Sequence, residues 1–246
     1  MTLDPLLVDA YQADGPKDWR ALAAAGAPWH GAILKATQGT YYRDTAWFAP
    51  NWQAVRSVAG ERYGVDWFRG AYHYLDVRQP GADQADYFLE AITHGGGSGP
   101  GDLWPMVDVE RAGQRPATSS QQVIDCVSAF AARIRAEIGR DTMLYGGSWL
   151  ADLAITSRMG CRWLAIARYT PQLPAYVYER IGWDRASLAL WQYCGDGTGY
   201  LAGYPREAPG CGRVDISAMV MPGGFEALRA GLGGARLSPG DVAGPP

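Results

Sequence analysis

Two carboxylates two residues apart, Asp108 and Glu110, lie in the run Pro105-Met106-Val107-Asp108-Val109-Glu110. In a β-strand, side chains at i and i+2 point to one face, and two residues of rise separate them by roughly 6–7 Å. Carboxylates so placed repel when both are charged, which raises one pKa and leaves a protonated acid beside an ionised partner. Glycoside hydrolysis uses such a pair. Salt-bridged surface strands also produce D-x-E, so the pair gains weight only from its company. That company is a set of polar residues at the ends of apolar runs: Asp9, Tyr145, Tyr169, Gln192 and Asp215. One acid at a strand end can simply cap the next helix. Four acids at three strand ends are harder to explain so, because buried like charges are costly and persist where function needs them.

The aromatic residues fit the same chemistry. The chain has 10 Trp and 14 Tyr against only 5 Phe, and Trp and Tyr each join a flat apolar face to a polar edge. The C–H face of a pyranose stacks on such a ring while its hydroxyls find polar partners. Filling a large core is the bland reading of the same residues. Among the histidines, His73 lies within an apolar strand and reads as a hydrogen-bonded core residue, while His30 and His94 read as loop residues.

These residues need a frame that gathers strand ends. Leu6–Ala10 is a short apolar run, and Pro16 opens a helical stretch over Asp18–Ala25 that Gly26 stops, the Pro-first, Gly-last order of helices. Strands are expected at Ala32–Ala36, Arg69–Leu75, Leu103–Val109 and Thr142–Tyr145. Between them, helices are expected at Trp47–Val58 and Ala82–Ile92, with a long one after Thr118, where Gln121 completes a capping box. In that long helix Val123, Val127, Phe130, Ile134 and Ile138 recur at helical spacing before Gly139. A short helix starts at Ser148, and three more strands follow at Arg162–Ala167, Leu188–Tyr193 and Arg213–Ser217. The fold class is therefore α/β: an irregular TIM-like barrel of five βα units followed by three strands, eight strands in all. Residues 1–230 are expected to form one domain, the one that carries the site, and 231–246 a Gly/Pro-rich flexible tail or linker.

Composition excludes several classes. A net charge of −3 argues against a nucleic-acid or anionic-membrane binder, and no apolar run approaches the length of a membrane span. The expected state is a monomer without nucleic-acid partners or membrane insertion. Cys126, Cys161, Cys194 and Cys211 show no C-x-x-C spacing, so a zinc site is not expected. Cys194 and Cys211 flank one Gly/Pro-rich loop, and a disulfide closing it or two reduced thiols under it are equally good readings.

Several segments together resemble glycoside hydrolase family 25, the Chalaropsis-type lysozymes. They are Val8-Asp9, Leu34-Lys35-Ala36-Thr37-Gln38-Gly39-Thr40, Gly70-Ala71-Tyr72-His73-Tyr74 and Val107-Asp108-Val109-Glu110. Further on come Leu144-Tyr145-Gly146-Gly147, Trp163 with Tyr169, Trp191-Gln192-Tyr193 and Val214-Asp215-Ile216, all in the family's order as far as about Ala218. The resemblance implies a muramidase that cleaves the β-1,4 bond between N-acetylmuramic acid and N-acetylglucosamine in peptidoglycan glycan strands, with no metal or cofactor. It implies Glu110 as proton donor and Asp108 as the group that stabilises an attacking 2-acetamido group. Asp9 and Asp215 become the other acids of the cleft floor. Gln38, Tyr72, Tyr145, Tyr169 and Trp191 become sugar contacts.

Two departures stand out. Gln38 occupies a position where that family usually carries Glu, and the segments between Val58 and Gly70 and between Gly195 and Gly212 are long. A non-catalytic carbohydrate-binding barrel and a glycosidase of another N-acetylated polymer such as chitin are the alternatives. All four cleft acids are present, which argues against the first. Residues Met1–Ala10 lack the basic and long apolar segments of a secretory signal. A phage endolysin released from the host cytoplasm, or a trimmed secreted enzyme, is the corresponding expectation.

Overall fold

Apolar strand runs separated by amphipathic helices close into a barrel. The structure is a computed structural model that describes residues 4–62, 67–99, 101–111, 118–224, 227–228 and 232. Its elements run β1 (Leu6–Ala10), α1 (Trp19–Ala24), β2 (Trp29–Gln38), β3 (Tyr42–Arg43), α2 (Thr45–Arg62), β4 (Phe68–Tyr74), α3 (Gly81–His94) and β5 (Met106–Asp108). Then follow α4 (Ser120–Ile138), β6 (Met143–Gly146), α5 (Trp149–Asp152), β7 (Trp163–Ala167), α6 (Tyr176–Glu179), β8 (Leu188–Gly195), β9 (Thr198–Gly199) and β10 (Asp215–Met219). Strand order is β1-β10-β8-β7-β6-β5-β4-β2, and β1 also pairs with β2, so eight strands close the ring; β3 and β9 are short additions. All barrel pairings are parallel except those of β10, which runs antiparallel to β1 and to β8. That reversal brings the start of β10 to the same rim as the ends of the parallel strands, and Asp215 pairs with Asp9.

Side-chain alternation divides the apolar residues into two layers. Leu6, Val8, Leu34, Val107, Leu144 and Ile166 face outward into the large cluster beneath the helices. Leu7, Ile33, Met106, Met143 and Leu190 face inward and fill the barrel. The inner cluster also holds Trp104, stacked on Trp163 at 4.7 Å between ring centroids, with Met219, Met221, Leu228 and Leu232. These bulky groups fill the N-terminal end of the barrel, and the cleft lies at the opposite end. Leu232 is thus packed although it falls in the stretch read as a tail; residues 233–246 lie outside the described residues.

Local signals explain the helices and the places where the sequence reading slipped. Asp18 caps α1 by accepting from Ala21 N at 3.0 Å. The capping box of α4 is formed by Ser119 and Gln122, one residue beyond the expected pair; Gln121 instead donates to Asp125 at 2.8 Å on the helix surface. Gly139 ends α4 at φ 64°, where a side chain would be strained. The strand expected over Leu103–Val109 is only Met106–Asp108. Pro105 has no N–H to give the ladder, and Leu103 N bonds back to Arg69 O at 2.7 Å. The last strand begins at Asp215 rather than Arg213. A short helix, α6, also lies between β7 and β8, where only a loop was expected.

The four cysteines are buried free thiols, so Cys194 and Cys211 form no disulfide. Backbone and side-chain hydrogen bonds hold that loop instead: Tyr193 Oη donates to Pro205 O at 2.9 Å and Asp18 N to Gly210 O at 2.9 Å. No described helix is long and apolar enough to cross a membrane.

Candidate active site

The open end of the barrel is a cleft whose lining includes Asp9, Lys35, Gln38, Tyr72, Asp108, Glu110 and Asp215. Its deepest part is bounded by Asp9, Tyr72, Met106, Asp108, Glu110, Tyr145, Gln192 and Asp215. Each acid arrives by strand geometry. Asp9 follows the inward-facing Leu7 by two residues on β1, and Asp108 follows Met106 by two on β5. Glu110 lies two residues further, beyond the formal end of β5, where Val109 N still bonds Tyr145 O at 3.0 Å and keeps the backbone extended. Asp215 opens β10 beside Asp9.

The four carboxylates differ in their surroundings. Asp108 is only 5% exposed, and its Oδ1 is buried without a hydrogen-bond partner in the protein. Burial drives its pKa well above the ordinary value, the charges of Glu110 and Asp9 add to this, and Lys35 opposes it. Asp9 is raised in the same way, first by burial and then by Asp215, Asp14 and Glu110. Glu110 is half-buried; burial raises its pKa and Lys35 lowers it. Asp215 is pushed up to about 6, mainly by burial, while the backbone N–H of Asp196 donates to its Oδ1 at 2.8 Å and holds it down. Gln192 Nε2 donates to the other oxygen at 3.1 Å. A cleft of this kind holds protonated and ionised carboxyls side by side near neutrality, which acid–base chemistry requires.

The aromatic residues divide. Tyr72 and Tyr145 line the floor. Tyr145 Oη donates to Gln192 Oε1 at 2.8 Å and Tyr169 Oη to the same oxygen at 2.7 Å, so one glutamine orients two phenols. Tyr169 is 39% exposed and so stands at the rim. Trp191 does not line the cleft: it is 7% exposed, packs in the outer layer, and donates from Nε1 to Arg168 O at 2.8 Å. Alternation along β8 turns its neighbour Gln192 inward instead. His73 is a core residue as expected, held between Thr37 Oγ1 at 2.7 Å and Gln84 Oε1 at 2.9 Å, with its pKa lowered to about 4 by burial.

Sequence reading missed Lys35, Tyr11, Asp14, Tyr74 and Asp196 as members of the cleft wall. Lys35 carried a signal, a lone cation two residues after Ile33 in an otherwise apolar strand. Asp14 ends a three-residue 3-10 helix and Asp196 sits in a tight turn, segments too short for any periodicity to mark them. Among the described residues no group of His, Cys, Asp or Glu could hold a metal ion.

A barrel with a filled N-terminal end, and a polar cleft floored by paired carboxylates at the C-terminal strand ends, defines a glycoside hydrolase. The family model "Glycosyl hydrolases family 25" matches residues 8–202, and the chain belongs to that family. Similar solved structures include a lysozyme from Streptomyces coelicolor, 24% identical with a TM-score of 0.70, covering 94% of this chain and 98% of that one. A family 25 lysozyme from Aspergillus fumigatus is 21% identical, TM-score 0.69, covering 93% and 98%. A muramidase from Trichobolus zukalii is 22% identical, TM-score 0.68, covering 93% and 98%. No curated protein matches the sequence.

Proposed function

We propose that this glycoside hydrolase is a muramidase. It cleaves the β-1,4 bond between N-acetylmuramic acid and N-acetylglucosamine in peptidoglycan, with retention at the anomeric carbon and participation of the substrate's acetamido group. The observation that carries this reading is Asp108: a buried carboxyl with an unpartnered oxygen at the cleft floor, two residues from Glu110. An unsatisfied buried acceptor is costly, and an acetamide N–H supplies the missing donor. Glu110 protonates the leaving oxygen as the acetamido carbonyl oxygen attacks the anomeric carbon and the glycosidic bond breaks. Asp108 stabilises the positive charge on the resulting ring. Water then opens that ring, giving its proton to the Glu110 carboxylate and restoring the starting state. Asp9 and Asp215 hold sugar or water beside them, Tyr72, Tyr145 and Tyr169 contact the sugars, and Gln38 lines the cleft wall beside them. The enzyme acts as a monomer on the cell wall, and the lysozymes and muramidases among the similar structures support that site of action.

Digestion of purified peptidoglycan tests the reading. A new reducing end on muramic acid, with β-configured product formed first, is the expected result. A new reducing end on glucosamine, or inverted product, rejects it. Peptidoglycan stripped of its N-acetyl groups is expected to be inert, and its efficient turnover would remove Asp108 from the proposed role.

A further inference from the structure

Lys35 is a half-buried cation on the wall of the carboxylate cleft. Its Nζ lies 4.6 Å from the ring centre of Tyr74, 5.4 Å from Tyr42 and 5.7 Å from Tyr11, within cation–π range of all three. Its hydrogen bond goes to a neutral acceptor, Gln38 Oε1, at 2.8 Å. Gln38 is itself fixed from three sides. Its backbone pairs with Tyr42 of β3 and Tyr74 of β4, and its Nε2 donates to Tyr41 Oη at 3.1 Å.

The two partners of residue 38 suit an amide. Tyr41 accepts from its Nε2 through the phenolic oxygen. Lys35 has only protons to give, so residue 38 must accept from it. An amide does both without carrying charge, whereas a carboxylate at this position would neutralise Lys35. We infer that Gln38 is a positioning residue, which holds the Lys35 ammonium beside the catalytic carboxylates through a neutral hydrogen bond and so leaves its full charge to act on Asp108 and Glu110. This deepens the muramidase reading and rests on it.

The charged neighbourhood is explicit. Asp9 and Tyr11 from β1 and the turn after it, Tyr42 from β3, Tyr74 from β4, Asp108 from β5 and Glu110 just beyond it all face the ammonium or couple to it. Asp215, Tyr145 and Tyr169 complete the ring around Glu110, and Asp14 and Asp196 flank Asp9 and Asp215. Burial raises Asp9, Asp108 and Glu110 most, and Lys35 is the charge that lowers all three.

The test is the pH dependence of Q38E and K35Q. Glu110 acts protonated and Asp108 ionised, so the acid and alkaline limbs report the two steps of the coupled pair rather than either residue alone. A negative charge added at position 38, or the ammonium removed, raises both. The expected result is that both limbs of kcat/KM on peptidoglycan move to higher pH by roughly half a unit to one unit. Carbon-13 NMR of the side-chain carboxyls, without substrate, should show Glu110 and Asp108 titrating higher by a similar amount in both variants. Carboxyl titrations of Q38E that overlay the wild type overturn the inference, whether or not the protein is active. Wild-type protein inert on peptidoglycan overturns the muramidase reading and leaves the NMR arm to judge Gln38. Should Q38E fail to fold, unshifted titrations in K35Q overturn the inference equally.

Discussion

Glu110 and Asp108 are separated by one residue but not by one environment. Asp108 is enclosed and lacks a partner on one oxygen, whereas Glu110 is half-buried and faces open space. The exposed acid is the one that a leaving oxygen can reach, and the enclosed one suits a charge that stays in place. Glu110→Gln keeps shape and loses the proton, so it should fold with a melting temperature no lower than the wild type's and lose roughly 10²–10⁴-fold in rate, the usual contribution of a positioned general acid. Counting new reducing ends per folded molecule checks this, and wild-type turnover would exclude Glu110 as donor. Asp108→Asn should also cripple turnover, because an amide cannot stabilise the developing positive charge. Its KM should change much less than its kcat, which a substrate titration resolves. The acids were legible in sequence because i,i+2 spacing on a strand is local information. Lys35, Asp14 and Asp196 were not singled out, since their roles arise only when β2 and two short segments are folded onto the rim. Trp191 was misplaced for a related reason: one residue along a strand reverses the face.

The helices hold the rim by close packing, and α3 against α4 is the tightest example. Gly81 opens α3 where it crosses α4, and a Cβ there would overlap the Cys126 carbonyl. One turn later Gln84 reaches inward to His73 and to the backbone oxygens of Asp76 and Gln79, tying α3 to the end of β4. Gly81→Ala must therefore separate two helices whose positions are fixed at both ends. We expect a loss of roughly 1–3 kcal/mol, the range for overpacking a filled core, read as a lower urea midpoint at unchanged slope. An unchanged midpoint would mean the two helices are not in close contact at that point. The long helices were legible because their apolar residues repeat every three or four positions; Val123, Val127, Phe130, Ile134 and Ile138 are all buried. Elements of two to four residues, such as β3, β9 and α6, are too short to show any period. Barrel closure was legible from eight apolar runs, but the antiparallel direction of β10 was not, since a buried strand looks the same read either way.

At the scale of the whole molecule, the barrel is apolar and filled at one end and crowded with acids at the other, and the two ends make opposite contributions to stability. Asp9 shows the cost. In the unfolded chain its carboxyl titrates near the ordinary value of about 3.9, but in the folded protein burial, Asp215, Asp14 and Glu110 hold its pKa well above that. Between the two values the folded state keeps a proton that the unfolded state has lost. Raising the pH through that window therefore favours unfolding, and above it the penalty is present in full. Below the ordinary value both states are protonated and the penalty vanishes. Asp9→Asn removes the charge at nearly constant shape, so it should raise the melting temperature at pH 7 and leave it almost unchanged at pH 3.5. Each kcal/mol gained corresponds to roughly 2–4 °C for a chain of this size. The same substitution should lower activity, the exchange expected where a site keeps a destabilising charge for its chemistry. Thermal melts of wild type and variant at the two pH values decide the matter. An equal gain at both would assign the effect to packing, and a loss at pH 7 would mean that Asp9 is held by a favourable partner rather than by the burial and like charges around it.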